Sequence, residues 1–266
     1  MPKRSRSACW INLGAAILVC LLGAAAWTRR SAGQNPTQMP TRIDPKAQQL
    51  VDRVVKVLGG PAFLNAKRLT TRGRIYSITN ESTAGFAPFE SFVEFPDKRR
   101  FSYGKKQPVI LINNGDQAWE LDRMGQTTQT EEQARRWKIS NRYSLENLFR
   151  LRIHEPGMLI QMGGVDFVDN VATLALEMVD EQETQLTVDL NRQSLLPVRV
   201  TYHVRNPKTD DRDDFADVYS DYRDIETVMT PMHIARFFND ERVSEVFRSS
   251  ASYNDDYPST YFQPVQ

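Results

Sequence analysis

The spacing of apolar positions changes three times along the chain. An apolar run from Ile11 to Trp27, interrupted by Asn12, follows Lys3, Arg4 and Arg6. From Gln34 to Ile43 there is no periodicity, and polar residues stand with two prolines, as in a linker. Ala47, Leu50, Val51, Val54, Val55 and Leu58 then recur at spacings of three and four, which predicts a helix with one apolar face. Asp44 is a natural N-cap, Pro45 suits the first helical position, and Gly59-Gly60 ends the run.

Beyond Gly60 the period falls to two, in short runs rich in Val, Ile, Phe, Tyr and Thr. These runs predict strands near 71–79, 88–95, 98–104, 108–113 and 117–122, then 165–179, 183–190, 196–205, 214–222, 231–238 and 242–252. Turn residues stand between them at Asn114-Gly115, Asp180-Glu181, Asn191-Arg192, Asn206-Pro207 and Asn239-Asp240. A helical interlude interrupts the strands: Thr130 and Gln133 fit a capping box, Ser144 opens a second turn through Leu145, Leu148 and Phe149, and Gly163-Gly164 closes it. Connections this short suit antiparallel pairing and exclude parallel crossovers.

Ten or eleven strands at roughly 4.8 Å spacing span roughly 50 Å, whereas a helix covers about 10 Å of that width. Several strands nevertheless carry one apolar face: Phe89, Val93 and Phe95 alternate with Glu90 and Glu94, and Leu174, Leu176, Met178, Leu186, Val188 and Leu190 repeat the pattern. The expected fold is therefore mainly β (α+β), a curved antiparallel sheet forming an incomplete, half-open barrel with the N-terminal helix and short helices at its concave face. Taken singly, each of these side chains reads as ordinary core, and only the width of the sheet argues for a hollow.

Composition narrows the function. Lys plus Arg number 34 against 33 Asp plus Glu, so a net charge of +1 provides no field for nucleic acid or an anionic membrane surface. Residues 1–33 form an export signal, cleaved after Ala26 or after Gly33, or else retained as an anchor. Residues 34–44 are the linker and 45–266 a single domain. Both cysteines, Cys9 and Cys20, lie in the export segment, so the mature domain has no thiol, and Val19 ahead of Cys20 does not fit a lipobox.

The rival readings are weaker. Asp210-Asp211-Arg212-Asp213-Asp214 lacks the glycine and terminal glutamate of a calcium loop, so no metal is expected. Asn80-Glu81-Ser82 fits a glycosylation acceptor, a pattern with meaning only in a eukaryotic secretory setting. A hydrolase could draw on His154, His203 and His233, but no G-x-S-x-G, H-E-x-x-H, P-loop or Rossmann pattern accompanies them, and no catalytic residue is assigned. An interaction module, pairing a partner with the groove or a sheet edge, is the third reading.

Several stretches recur in a set order: Gly59-Gly60 behind the helix, Phe95-Pro96-Asp97-Lys98-Arg99-Arg100-Phe101 leading into a strand, and Asn114-Gly115-Asp116-Gln117-Ala118-Trp119-Glu120-Leu121 in a hairpin. Leu186 to Leu190 ahead of Leu196-Pro197-Val198, Asp221-Tyr222 with Pro231, and Tyr253-Asn254 to Phe262 and Pro264 complete the set. In this order the chain resembles the periplasmic lipoprotein-carrier superfamily, the LolA-like and LolB-like half-barrels. The resemblance implies a periplasmic protein, with no cofactor, that holds an acyl chain of a lipid or lipoprotein. It also implies a monomer and leaves room for an envelope protein partner, since relatives on this fold include sensors of envelope stress.

The apolar lining would then comprise Phe89, Val93, Phe95, Phe101, Trp119, Leu174, Leu176, Met178, Leu186, Val188, Val200 and Tyr202. The carriers place a basic residue ahead of the strand-leading proline to latch a lid. Here Phe95 holds that position, and Lys98, Arg99 or Arg100 would have to take over, with Arg99 and Arg100 as the latch candidates.

Overall fold

A computed structural model describes residues 41–264. The export segment and residues 34–40 of the linker lie outside the described residues. The first strand and helices are β1 (Arg42–Ile43), α1 (Pro45–Leu58) and α2 (Pro61–Asn65). A meander follows: β2 (Arg68–Thr79), β3 (Ser82–Glu94), β4 (Lys98–Tyr103), β5 (Val109–Asn114), β6 (Gln117–Asp122) and β7 (Gly125–Thr128). Two helices, α3 (Glu131–Arg142) and α4 (Leu145–Arg150), separate it from a second meander. That one comprises β8 (Leu159–Val168), β9 (Val171–Val179), β10 (Gln185–Asn191), β11 (Pro197–Arg205), β12 (Arg212–Ile225), β13 (Val228–Phe238) and β14 (Glu241–Tyr253).

All fourteen strands form one sheet in the order β1-β8-β9-β10-β11-β12-β13-β14-β2-β3-β4-β5-β6-β7. The two meanders join where β14 pairs antiparallel with β2. Its outermost strands, β1 and β7, do not pair with each other, so the sheet is an open, mainly β half-barrel. Only β1 departs from antiparallel pairing among the described residues, lying parallel to β8 through Arg42 and Ile43.

The strand count exceeds the expected ten or eleven for local reasons. The single strand expected over 165–179 is a hairpin, because Asp169 and Asn170 adopt φ of 47° and 64° and reverse the chain. Gly163 and Gly164 do not end the helical interlude; they sit inside β8, where the register to β9 shifts between Met162 and Val165. Strand β7 is polar and exposed throughout, so no alternation marked it. The end of the expected linker, Arg42–Ile43, is a strand. Asn80 and Glu81, at φ of 49° and 59°, make the β2–β3 turn, the same construction as Asn239-Asp240.

Helix α1 begins where the Asp44 carboxylate accepts the N–H groups of Lys46 and Ala47, and it stops at Gly59, whose φ of 127° requires glycine. A β-carbon at Gly59 would lie 2.5 Å from the Thr227 carbonyl oxygen, which shows how tightly the β12–β13 turn abuts the helix end. The apolar face of α1, Leu50, Val51, Val54 and Leu58, shares one core with Leu145, Leu148 and Phe149 of α4 and with the inner faces of β9 to β11. Each fully buried side chain of this kind contributes about 1.5–3 kcal/mol. Helices therefore fill the concavity over the β8-to-β12 half.

Candidate functional site

The other half of the concave face is not filled. A hollow of about 540 Å³ opens between β2, β3, β4, β5, β13 and β14, within the size range of small-ligand sites. Alternation and register build it. Ile75 pairs with Val246 and Val246 with Ile234, so three aliphatic side chains from adjacent strands form one wall. The other wall is aromatic: Phe89 stacks on Phe101 at 5.5 Å between ring centres, and Tyr103 follows at 5.9 Å. Leu111 closes that side, and Phe86, 62% exposed, stands at the mouth. Burial, and secondarily Glu120, hold the Tyr103 phenol above its usual range.

The hollow has one charged feature. Arg99 of β4, Arg236 of β13 and Arg248 of β14 project into it, and no acidic side chain lines it. The Nε atoms of all three are shielded and without a hydrogen-bond partner among the described residues. Arg236 Nε lies 3.6 Å from a carboxylate oxygen of Asp217, beyond hydrogen-bond reach, and Arg248 donates one Nη to the Pro231 carbonyl at 2.9 Å. Burial, reinforced by Arg236, pushes the Arg99 guanidinium down to about 9. Asp217 is raised above the usual carboxylate range, burial outweighing the attraction of Arg236.

The side chains expected to line a hollow divide into groups. Phe89 and Phe101 line it. Val93 and Phe95 lie in a cleft beneath α3 and α4 that is also lined by Arg99, Arg236, Arg248 and Glu146. Leu176, Met178, Leu186, Val188, Val200 and Tyr202 are at most 2% exposed, sealed under the helices as core, with Leu174 packed beside them. Trp119 is on the opposite face: Leu111 pairs with Glu120, so Glu120 shares the side of Leu111 and its neighbour Trp119 points away.

The two arginines named as latch candidates also separate. Arg100 lies over the Tyr261 ring at 4.9 Å and donates to the Tyr261 carbonyl at 3.4 Å, holding the C-terminal tail on the convex side rather than a lid over the mouth. Arg99, its neighbour, faces the hollow. Sequence reading missed Arg236 and Arg248, whose only signal was their place on the apolar parity of their strands: Ile234 and Arg236, then Val246 and Arg248.

Helix α3 bridges the two sides of the concavity. On one side Lys138 pairs with Asp116 at 2.7 Å, Gln133 donates to Glu120 at 3.1 Å and Asn141 donates to the Pro96 carbonyl at 2.9 Å. Opposite, Arg135 meets Asp213 at 2.5 Å, Glu131 meets Lys208 at 2.8 Å and Arg136 covers the Phe238 ring at 4.2 Å. Trp137 is buried under the helix beside the cleft. The acidic stretch after Asn206 thus supplies ion-pair partners, Asp210 to Arg205 and Asp213 to Arg135.

Two histidines make polar pairs, His203 with Asp214 at 2.7 Å and His233 with Ser220 at 2.8 Å. His233 Nε2 is 3.9 Å from Glu245, too far for the hydrogen bond a nucleophilic triad needs.

No family profile matches the chain, and no curated protein sequence matches it. Among solved structures, a DUF1329 family protein from Desulfovibrio piger is 11% identical with a TM-score of 0.54, covering 82% of this chain and 97% of that one. An outer membrane lipoprotein-sorting protein domain from Vibrio parahaemolyticus is 8% identical with a TM-score of 0.50 and the same coverage. A LolA superfamily protein from Nitrosomonas europaea is 12% identical with a TM-score of 0.49. At these identities the likeness is one of fold, and it runs to a lipoprotein-sorting domain, as the sequence resemblance implied.

Proposed function

We propose that this protein is a periplasmic carrier that holds an acyl chain of a lipid or lipoprotein in the hollow and hands it on without making or breaking a bond. The observation that carries the reading is an unfilled apolar hollow in a concave face that is otherwise packed. The likeness in fold to a lipoprotein-sorting domain supports it, as does the export signal read from the sequence. Among the described residues no helix is long and apolar enough to cross a membrane.

Energetics set the terms of transfer. Each buried methylene contributes about 0.8 kcal/mol, so ten contribute about 8 kcal/mol, and a carrier must reopen to release its cargo. Helix α3, held on both sides by polar contacts and underneath by Trp137, is the element suited to open. The alternative of strand addition by a protein partner is disfavoured at β7, an edge of four exposed polar residues that offers a poor template.

The test is a native mass spectrum of the mature protein, purified from the cell envelope without detergent, followed by solvent extraction. Acylated material is expected, and Ala87→Trp, which places an indole in the hollow, should abolish it. Protein that arrives empty and stays empty after incubation with lipids and lipopeptides would overturn the reading.

A further inference from the structure

An acyl chain alone gives no reason for arginines in an apolar hollow. Three arginines line both the hollow and the adjoining cleft, so they stand where the two meet, and they come from strands far apart in sequence, one from the first meander and two from the second. Their register is determined: Arg236 pairs across to Ser244, Arg248 to Gly73 and Gly73 to Phe89, while Arg99 follows the same face of β4 as Phe101. Gly73 contributes no side chain between Arg248 and the aromatic wall.

The surrounding protein neutralises them only in part. The carboxylates nearest are Asp217, beyond hydrogen-bond distance of Arg236, and Glu146 of α4 in the adjoining cleft. Neither lines the hollow itself, and Arg99 and Arg248 have no carboxylate within ion-pair distance among the described residues. Two carboxylates against three guanidiniums leave a positive site, and the raised proton affinity of Asp217 increases the imbalance. Guanidinium N–H groups left without partners in a shielded space are costly, and an anion satisfies them with charge-assisted hydrogen bonds.

We propose that Arg99, Arg236 and Arg248 form a binding site for a phosphate or carboxylate group, so that the ligand is an anionic amphiphile that lodges its charged head where the hollow meets the cleft and its chain along the Phe89–Phe101–Tyr103 wall. This rests on the acyl-carrier reading and adds the chemical class and orientation of the cargo. The bare anion and the lipid head share one chemistry, and the experiment separates them.

Binding is measured by titration calorimetry on the mature protein for 1-myristoyl lysophosphatidic acid, for 1-monomyristoylglycerol, which differs by the phosphate alone, and for inorganic phosphate. Charge-assisted hydrogen bonds at a shielded site correspond to an expected preference of about 10- to 100-fold for the phosphorylated lipid. Arg236→Gln and Arg248→Gln, verified as folded by circular dichroism and thermal melting, should erase that preference and leave monomyristoylglycerol affinity within about threefold of the parent. Arg236→Lys should retain part of it, since charge persists without the planar fork.

Equal affinities for the two lipids, or a preference unchanged in both glutamine variants, would overturn the anion site while leaving the acyl carrier standing. Arginine-dependent binding of inorganic phosphate with neither lipid bound would support the anion site and overturn the acyl carrier. If none of the three binds, both fail.

Discussion

At the position of Gly73 a β-carbon would lie 1.9 Å from the Phe247 carbonyl oxygen and 2.9 Å from the Arg248 α-carbon. Here the two meanders press together, next to the register shift between Arg248 and Ser250. Gly73→Ala is therefore expected to lower stability by about 2–3 kcal/mol, read from urea denaturation, because β14 and β2 must separate to admit one methyl group. The converse case is Phe262, fully buried on the convex side, where Phe262→Ala should cost about 3–4 kcal/mol. The sequence made neither role visible. Gly73 sits in a run that reads as ordinary strand, and Phe262 stands in a tail with no periodicity. Apolar parity did place Phe89 on the inner face, but for Trp119 the same rule needed the register to Leu111, which one strand alone does not contain.

Among the elements, α3 was legible as a helix from its capping box, and that box is formed: Thr130 accepts from Gln133, whose side chain accepts from the Thr130 N–H. Its role was not legible, because Asp116, Asp213 and Lys208 come from distant parts of the chain. Glu132 carries the acid sensitivity of this helix. Arg135 first and Arg136 second pull its carboxyl down to about 2, against an ordinary value of 4.5. A lowered pKa stabilises the folded state fully above the ordinary value and progressively less as pH falls toward the folded one, so the contribution of Glu132 fades between about pH 4.5 and 2. In the mature protein with Trp27→Phe and Trp119→Phe, Trp137 emission should shift to the red across that window, and Glu132→Gln should show part of the shift already at pH 7. An emission that ignores both pH and Glu132→Gln would mean that α3 is held by other contacts. Asp213→Ala removes the partner of Arg135 at the far end and should speed amide exchange in α3 about 10- to 30-fold, with little change in β8 to β11.

For the whole molecule, the fourteen strands belong to one sheet but not to one environment. Strands β9 to β11 have their inner faces sealed by α1 and α4, whereas β3 to β5 face a hollow whose lining includes no helix residue. A core packed on both sides opens only with global unfolding, and a sheet segment lacking cover opens at lower free energy. The width of the sheet made this asymmetry foreseeable in kind, since three or four short helices cannot cover so many strands. It did not tell which half is left open, because that depends on α1 docking against β8 and β13, with Gly59 against Thr227. Native-state hydrogen exchange should accordingly give opening free energies for β3 to β5 about 2 kcal/mol or more below those of β9 to β11 in the empty protein. Saturation with 1-myristoyl lysophosphatidic acid at a hundredfold excess over its dissociation constant should raise stability by about 2.7 kcal/mol, with the gain concentrated in β3 to β5, β13 and β14. Protection confined to those strands would place the ligand between them, whereas uniform protection of all strands would indicate that it binds elsewhere and that the hollow is not its site.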